Sequence, residues 1–178
     1  WEVNALVEAI EAHKPVRHVV LTGGEPMIAP KLPALAEALA ARGFHITIET
    51  AGTVFKALDV DLYSISPKLS NSTPADAPGR WKERHEETRL NVEVIRAMMS
   101  AAEYQLKFVV SDPKDLEEIT ALIEAVEATP ERVMLMPEGR SVERLDQVSE
   151  WLVPLCMARG FRYCDRLQIR LFGDTPGT

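Results

Sequence analysis

The stretch HVVLTGGEPMIAP, residues 18–30, decides the fold. The aliphatic run Val16–Leu21 predicts a strand, and it ends in Thr22, two glycines, an acid and a proline. Glycine has no Cβ, so a ligand can contact the main chain of Gly23 and Gly24 directly. A Gly-Gly turn by itself is more often only a tight loop, so the case for a ligand site depends on the residues at the ends of the other strands.

Helical and strand patterns alternate outward from this turn. Apolar positions at helical spacing, Val3 to Ile10, precede the strand, and a helix over Leu32–Leu39, closed by Gly43, comes after it. The later elements are a strand from His45, a strand over Asp61–Ser66, a helix resuming near Thr88, a strand over Gln105–Val110, a helix starting at Asp112-Pro113, a strand over Arg132–Met136, a helix capped by Ser141 and a last strand over Arg166–Phe172. This alternation predicts one α/β domain over residues 1–178, with a parallel sheet or a barrel-like fold.

Composition narrows the function classes. The 178 residues carry a net charge of −7, and no basic cluster with interleaved aromatics occurs, which argues against a nucleic-acid partner. No apolar run reaches the length of a membrane span, so we expect a cytoplasmic protein with a small-molecule partner. Its two cysteines, Cys156 and Cys164, match neither a zinc pair nor a disulfide framework.

Ligands of parallel α/β folds bind beyond the carboxyl ends of the strands, where this sequence is polar and glycine-rich. The residues there are Thr22–Pro26, Glu49–Thr53, Ser66–Lys68, Ser111–Asp112 and Pro137–Gly139. Backbone carbonyls beside the Glu25 carboxylate suit a ligand ammonium, and Lys68 suits a carboxylate or a ribose hydroxyl. The sequence contains neither a P-loop nor a GxGxxG turn, so polyphosphate and dinucleotide ligands lose their main support.

A polar tract comes after the third strand, KLSNSTPADAPGRWKERHEE, residues 68–87. It is too long and too rich in Pro, Ser and Asn for an ordinary connection. We expect residues 69–87, which include Trp81, to form a lid over the site or a disordered insert; a plain surface insertion is the alternative.

Three motifs in chain order, TGGEP, ETAGT and SISPK, carry a family resemblance. Together with LKFVV, MPEG and LQIRLFGDTPGT they make the sequence similar to the 7-carboxy-7-deazaguanine synthase family of the radical SAM superfamily. The resemblance implies a shortened, partial (β/α) barrel of the radical SAM type, with parallel strands and outer helices. It also implies S-adenosylmethionine, a 4Fe-4S cluster and Mg2+ as cofactors, a homodimer, and a reductant such as flavodoxin. The reaction it implies is the radical ring contraction of 6-carboxy-5,6,7,8-tetrahydropterin with loss of ammonia, toward queuosine and other 7-deazapurines.

The resemblance also assigns site residues. It places the cofactor on three segments: Gly23, Gly24, Glu25 and Pro26, which hold the methionine amino group; Ser66, Pro67 and Lys68; and Met136, Pro137, Glu138 and Gly139. It makes Glu49 a cofactor or substrate contact and Thr22 a substrate contact. It gives Thr178 a substrate role through the terminal carboxylate, if Thr178 is the natural last residue.

The sequence departs from the family pattern at both ends. The cluster cysteines and the Mg2+-binding Thr or Ser of the superfamily precede GGEP, so we expect them upstream of Trp1; Cys156 and Cys164 have the wrong position and spacing for that role. Many relatives have Gln-x-His where this chain has Gln168-Ile169-Arg170, and we expect Arg170 to bind the pterin carboxylate instead. The alternatives are another radical SAM enzyme, such as a glycyl-radical enzyme activase, and a cluster-less S-adenosylmethionine-binding protein.

Overall fold

Six parallel strands form one sheet in the structure, a computed structural model that describes residues 2–72, 79 and 89–175. The spatial order of the strands is the same as the chain order. They are β1 (His18–Leu21), β2 (His45–Thr50), β3 (Leu62–Ile65), β4 (Glu103–Val110), β5 (Val133–Pro137) and β6 (Arg162–Tyr163). This sheet confirms the predicted partial barrel of parallel strands.

Helices cover one face of the sheet. They are α1 (Val3–Glu11), α2 (Leu32–Ala40), α3 (Val92–Ala101), α4 (Asp115–Val126), α5 (Val142–Arg159) and α6 (Leu167–Phe172). Because crossovers between parallel strands are right-handed and the strands lie in chain order, the crossover helices lie on the same side. Alternate strand residues point into the core between sheet and helices, among them Ile48, Leu106 and Phe108, each 0% exposed. We call the opposite side of the sheet the inner face.

Helix ends agree with the local sequence signals. Gly43, at φ 72°, closes the turn after α2 in the left-handed conformation. The Ser141 hydroxyl accepts a hydrogen bond from the Arg144 amide at 3.3 Å and caps α5. The predicted start of α4, with Asp112 as cap and Pro113 as first helical residue, lies two residues too early, because Asp115 Oδ2 accepts from the Ser111 amide at 2.8 Å and holds residues 111–114 in a turn before the helix.

The predicted last strand over Arg166–Phe172 is wrong. Residues Leu167–Phe172 form a helix that buries Ile169 and exposes Leu167 and Leu171. The strand lies just upstream, where Tyr163 pairs with Leu135 of β5 directly after the Gly160 cap of α5. The short pattern LQIRL suits both structures, and pairing to β5 was already satisfied by residues 162–163.

Two predictions fall largely outside the described residues. Of the predicted lid, the structure describes only residues 69–72 and 79, and Thr178 is likewise not described. In the described part of the chain, no helix is long and apolar enough to cross a membrane.

Candidate functional site at the carboxyl edge of the sheet

The turn after β1 exposes its main chain. Gly23 and Gly24 have φ values of 111° and 54°, which L residues with a Cβ rarely adopt. A Cβ built on either glycine would meet no atom within 4 Å, so there is room for another group beside the backbone. Thr22, Gly23 and Gly24 are all exposed. The turn therefore offers backbone groups to a ligand.

Glu25 fastens this turn to the end of β2. Its Oε1 accepts hydrogen bonds from the Met27 amide at 3.1 Å and from the Thr50 hydroxyl at 2.8 Å. Its Oε2 lies 2.8 Å from the same hydroxyl and accepts from the Ala51 amide at 3.0 Å. Both carboxylate oxygens thus contact protein donors. Glu25 contributes negative charge and fixes the turn, while the acceptors left for a ligand ammonium are backbone carbonyls.

Thr50 connects three consecutive strand ends. Besides Glu25, its hydroxyl binds the Gly52 amide at 3.0 Å, and its carbonyl accepts from the Ser66 amide at 2.8 Å, just beyond β3. Gly52 is required here, because φ is 76° and a Cβ would lie 2.8 Å from Ile65 Cγ2. The motifs GGEP, ETAGT and SISPK therefore form one hydrogen-bonded edge.

A cavity of about 410 Å³ lies along this edge. It brings together residues from three strand ends that the sequence singled out separately, namely Ser66–Lys68, Ser111 and Glu138. The Glu138 amide donates to the Val110 carbonyl at 2.8 Å, so the loop after β5 continues the edge. Pro67 is buried and Lys68 is exposed in the wall of the cavity.

A second cavity, of about 360 Å³, lies beside the first turn. Thr22, Gly23, Glu25 and Pro26 contribute to it, together with apolar residues of α1 and α2 such as Leu6 and Leu35. Of the residues predicted to bind the cofactor, Ser66, Pro67, Lys68 and Glu138 line the first cavity and Gly23, Glu25 and Pro26 line the second, whereas Gly24, Glu49, Met136, Pro137 and Gly139 line neither.

A polar row crosses the inner face behind the edge. Glu49, Ser64 and Gln105 are adjacent in the strand register. The Gln105 amide donates to the Ser64 hydroxyl at 2.9 Å, and Lys107, one alternate position further along β4, forms an ion pair with Glu49. The Lys107 side chain is only 16% exposed. The row places a carboxylate, an ammonium group and an amide on a face that no described helix covers.

Ser64, Gln105 and Lys107 were not predicted from the sequence as site residues. The signal for Gln105 and Lys107 was present, because polar residues alternate with buried Leu106 and Phe108 in the motif QLKF. What could not be read was the register that sets Glu49 beside these residues.

The arginine predicted to bind substrate has its guanidinium engaged by the protein. Arg170 lies on α6; its Nε forms an ion pair with Asp165, and its NH1 lies 2.9 Å from Asp146. Hydrogen bonds to Asp146 and Asp165 raise the pKa of Arg170 above its ordinary value, so it stays cationic with two carboxylates beside it. A substrate carboxylate would compete with both.

The two cysteines differ in environment but are both protonated at neutral pH. Cys156 is buried in α5, and Cys164 is half-buried just after β6. Burial raises the pKa of each thiol; at Cys164 the nearby Lys107 opposes this shift, while Asp165 and Glu49 add to it. Residues 2–72, 79 and 89–175 contain no group of three or more His, Cys, Asp or Glu side chains placed to hold a metal ion.

Comparison with known proteins agrees with this geometry. The model of the radical SAM superfamily matches residues 2–112. The carboxyl-edge site and the parallel sheet thus define a radical SAM domain, and the chain belongs to that superfamily.

The chain is 46% identical over 187 aligned positions to a 7-carboxy-7-deazaguanine synthase of Rhodopirellula baltica, covering 100% of this chain and 72% of the relative. It is 37% identical to the synthase of that name from Halobacterium salinarum, covering 99% and 73%. Within the superfamily, the chain belongs to the 7-carboxy-7-deazaguanine synthase family.

Solved structures share the fold. QueE from Escherichia coli superposes with a TM-score of 0.64 at 22% identity, covering 93% of this chain and 64% of that one. Streptococcus suis SuiB bound to S-adenosylmethionine gives a TM-score of 0.62 at 13% identity, covering 92% and 40%. At these identities the likeness concerns the fold alone.

Proposed function

We propose that this chain is the core of a 7-carboxy-7-deazaguanine synthase, which contracts the ring of 6-carboxy-5,6,7,8-tetrahydropterin with loss of ammonia. One observation carries the proposal beyond family membership. The motif loops after β1, β2 and β3 are joined on a single sheet edge by hydrogen bonds of Glu25 and Thr50, and the Glu138 amide binds the Val110 carbonyl, which connects the loop after β5 to the end of β4 on the same edge.

The chemistry of this edge fits S-adenosylmethionine. The ligand's ammonium needs acceptors, and the turn at Gly23 and Gly24 offers exposed main chain next to the Glu25 charge. Its carboxylate or ribose needs donors, and Lys68 stands exposed in the wall of the 410 Å³ cavity. Glu138, in the loop after β5, lines the same cavity, and Met136 is the register neighbour of Val109, which also lines it. We assign the cofactor to these residues, namely Gly23, Gly24, Glu25, Pro26, Ser66, Pro67, Lys68, Met136, Pro137, Glu138 and Gly139.

The residues of the chain orient the reactants. When bound, S-adenosylmethionine together with a reduced 4Fe-4S cluster would supply the group that abstracts a hydrogen atom, and the residues of the protein would hold the pterin beside it. We assign the polar row of Glu49, Gln105 and Lys107, with Thr22 at the adjoining turn, to the pterin. A pterin carries amide, amino and carboxylate groups, for which an acceptor and a cation on one face are suitable partners. Arg170 and Thr178 stay predictions for the same ligand.

Several parts of the proposal come from the family resemblance. They are cluster cysteines upstream of Trp1, Mg2+, a reductant such as flavodoxin, a homodimer and a cytoplasmic location.

The test uses the full-length protein, reconstituted anaerobically with iron and sulfide and supplied with S-adenosylmethionine, Mg2+, dithionite and the pterin. We expect a product whose mass equals that of 7-carboxy-7-deazaguanine, together with stoichiometric ammonia, and neither without S-adenosylmethionine. Cleavage of S-adenosylmethionine without the ring-contracted product would indicate another radical SAM reaction. Binding of S-adenosylmethionine without any cleavage would indicate a binding protein.

A further inference from the structure

The segment after β3 is fixed by side chains of α4. Glu118 Oε2 accepts hydrogen bonds from the Ser70 amide at 2.9 Å and the Ser70 hydroxyl at 2.8 Å. Glu118 Oε1 forms an ion pair with Arg89, and NH1 of Arg89 also donates to the Lys68 carbonyl at 3.0 Å. One carboxylate and one guanidinium thus hold the main chain on both sides of Leu69, which is itself 3% exposed.

A second acid of α4 repeats the contact one turn earlier. Asp115 Oδ2 accepts from the Asn71 amide side chain at 2.8 Å and also from the Ser111 amide at 2.8 Å. Asn71 and Ser111 both line the 410 Å³ cavity. Asp115 therefore joins two walls of that cavity, and Glu118 fixes the first of these walls again, at Ser70.

The Arg89–Glu118 ion pair differs from an ordinary exposed ion pair in its burial and in its partners. The side chains of Arg89 and Glu118 are only 12% and 22% exposed, so their pairing is shielded from solvent and little weakened by salt. Their partners are backbone atoms at Lys68 and Ser70 and not merely other side chains. Since Lys68 is the cation exposed in the cavity wall, the clamp sets the position from which its side chain reaches a ligand.

We propose that Glu118, with Arg89, is a positioning residue for S-adenosylmethionine: it holds the Lys68–Ser70 main chain so that Ser66 and Lys68 meet the cofactor. The inference rests on the proposed assignment of S-adenosylmethionine to this cavity. It adds two residues outside the family motifs and gives them a role through Lys68, with no contact to the ligand of their own.

The test measures equilibrium binding of S-adenosylmethionine and, separately, of the pterin to the full-length reconstituted protein, without turnover. The variants are Glu118→Gln, Arg89→Gln and the matched control Glu117→Gln, which removes the same charge from the neighbouring, exposed residue of α4. We expect Glu118→Gln and Arg89→Gln to raise the Kd of S-adenosylmethionine about tenfold, since each removes a charged hydrogen bond from the loop. We expect Glu117→Gln to leave it within about twofold. The Kd of the pterin, which has other partners, stays unchanged.

The double variant Glu118→Gln/Arg89→Gln should bind S-adenosylmethionine no more weakly than either single variant, because the two residues act as one unit. Equal loss of cofactor and pterin binding, or an unchanged Kd in a folded Glu118→Gln protein, would overturn the inference. If Glu118→Gln fails to fold, Ser70→Ala decides the question with the same readout, since it deletes only the hydroxyl contact. A wild-type protein that binds S-adenosylmethionine but does not contract the pterin would refute the proposed reaction and leave this inference standing.

Discussion

Thr50→Val is the perturbation that tests the edge most directly. Valine has nearly the shape of threonine, so packing around this residue, which is 3% exposed, is preserved while two hydrogen bonds are lost. The bond to the Glu25 carboxylate is of the charged kind, worth about 1.5–3 kcal/mol. The Gly52 amide loses its acceptor in a buried turn, which costs about 1–3 kcal/mol more.

Allowing for relaxation of the turn, we expect the free energy of unfolding to fall by about 3 kcal/mol. For a domain of this size that corresponds to a decrease in Tm of about 6–12 °C. Because Glu25 then holds the first turn through fewer donors, we also expect the Kd of S-adenosylmethionine to rise about tenfold. Equilibrium denaturation measures the free energy of unfolding, and equilibrium dialysis measures the Kd of S-adenosylmethionine.

Thr47→Val is the matched control. Thr47 lies on the same strand, points to the inner face and makes no side-chain hydrogen bond to another described residue, so we expect a change within about 0.5 kcal/mol. A Thr50→Val protein as stable as wild type, or a Thr47→Val protein equally destabilised, would show that Thr50 does not join the strand ends as described.

Three further predictions concern the inner face and the C-terminal segment. Lys107→Met leaves Glu49 without its cation, so we expect kcat/KM for the pterin to fall at least about tenfold. The control Lys114→Met removes an exposed cation of the outer surface and should change kcat/KM little. Equal effects of the two variants would refute the assignment of Lys107 to the pterin. Arg170→Gln removes the partner of Asp146 and Asp165 and also the cation predicted to bind the pterin carboxylate, so we expect a lower Tm together with a higher Kd for the pterin; a lower Tm with an unchanged Kd would show that Arg170 only stabilises the fold. Burial raises the pKa of Cys164, so its thiolate fraction at pH 7 to 8 is below that of a free peptide; we expect slow alkylation by iodoacetamide that accelerates only at higher pH, and mass spectrometry showing rapid labelling at pH 7 would contradict this.

The sequence predicted the strand ends well for a physical reason. A strand buried on its helix side leaves a periodic apolar signal, and a turn with Gly23-Gly24 or Gly52 leaves a compositional one, so both are visible in neighbouring residues. The misassigned helix α6 has neither of these signals, because six residues are too few to distinguish helical from strand periodicity.

Contacts between distant segments could not be read in the same way. Glu25 resembled a free carboxylate until the structure placed Thr50 and Ala51, 25 and 26 residues later, against both its oxygens. Arg170 resembled a free cation until Asp146, 24 residues earlier on α5, came beside it. In each case the residue type was visible in the sequence, whereas its partner on another element was not.

The assignment of the cofactor and the pterin to two different surfaces follows from the topology of the sheet. In a parallel sheet the carboxyl ends lie at one edge while alternate side chains project onto one face, so a single chain presents two chemically distinct surfaces at a right angle. Here the edge offers main chain and Lys68, and the inner face offers Glu49, Gln105 and Lys107. A reaction that transfers a hydrogen atom needs its two reactants held independently yet in contact, and these two surfaces meet where β2 ends, at Glu49 and Thr50. Substitutions at the edge should therefore mainly weaken the binding of the cofactor, and substitutions on the inner face should mainly weaken the binding of the pterin. A uniform loss of both affinities across the two sets would mean that one surface binds both ligands.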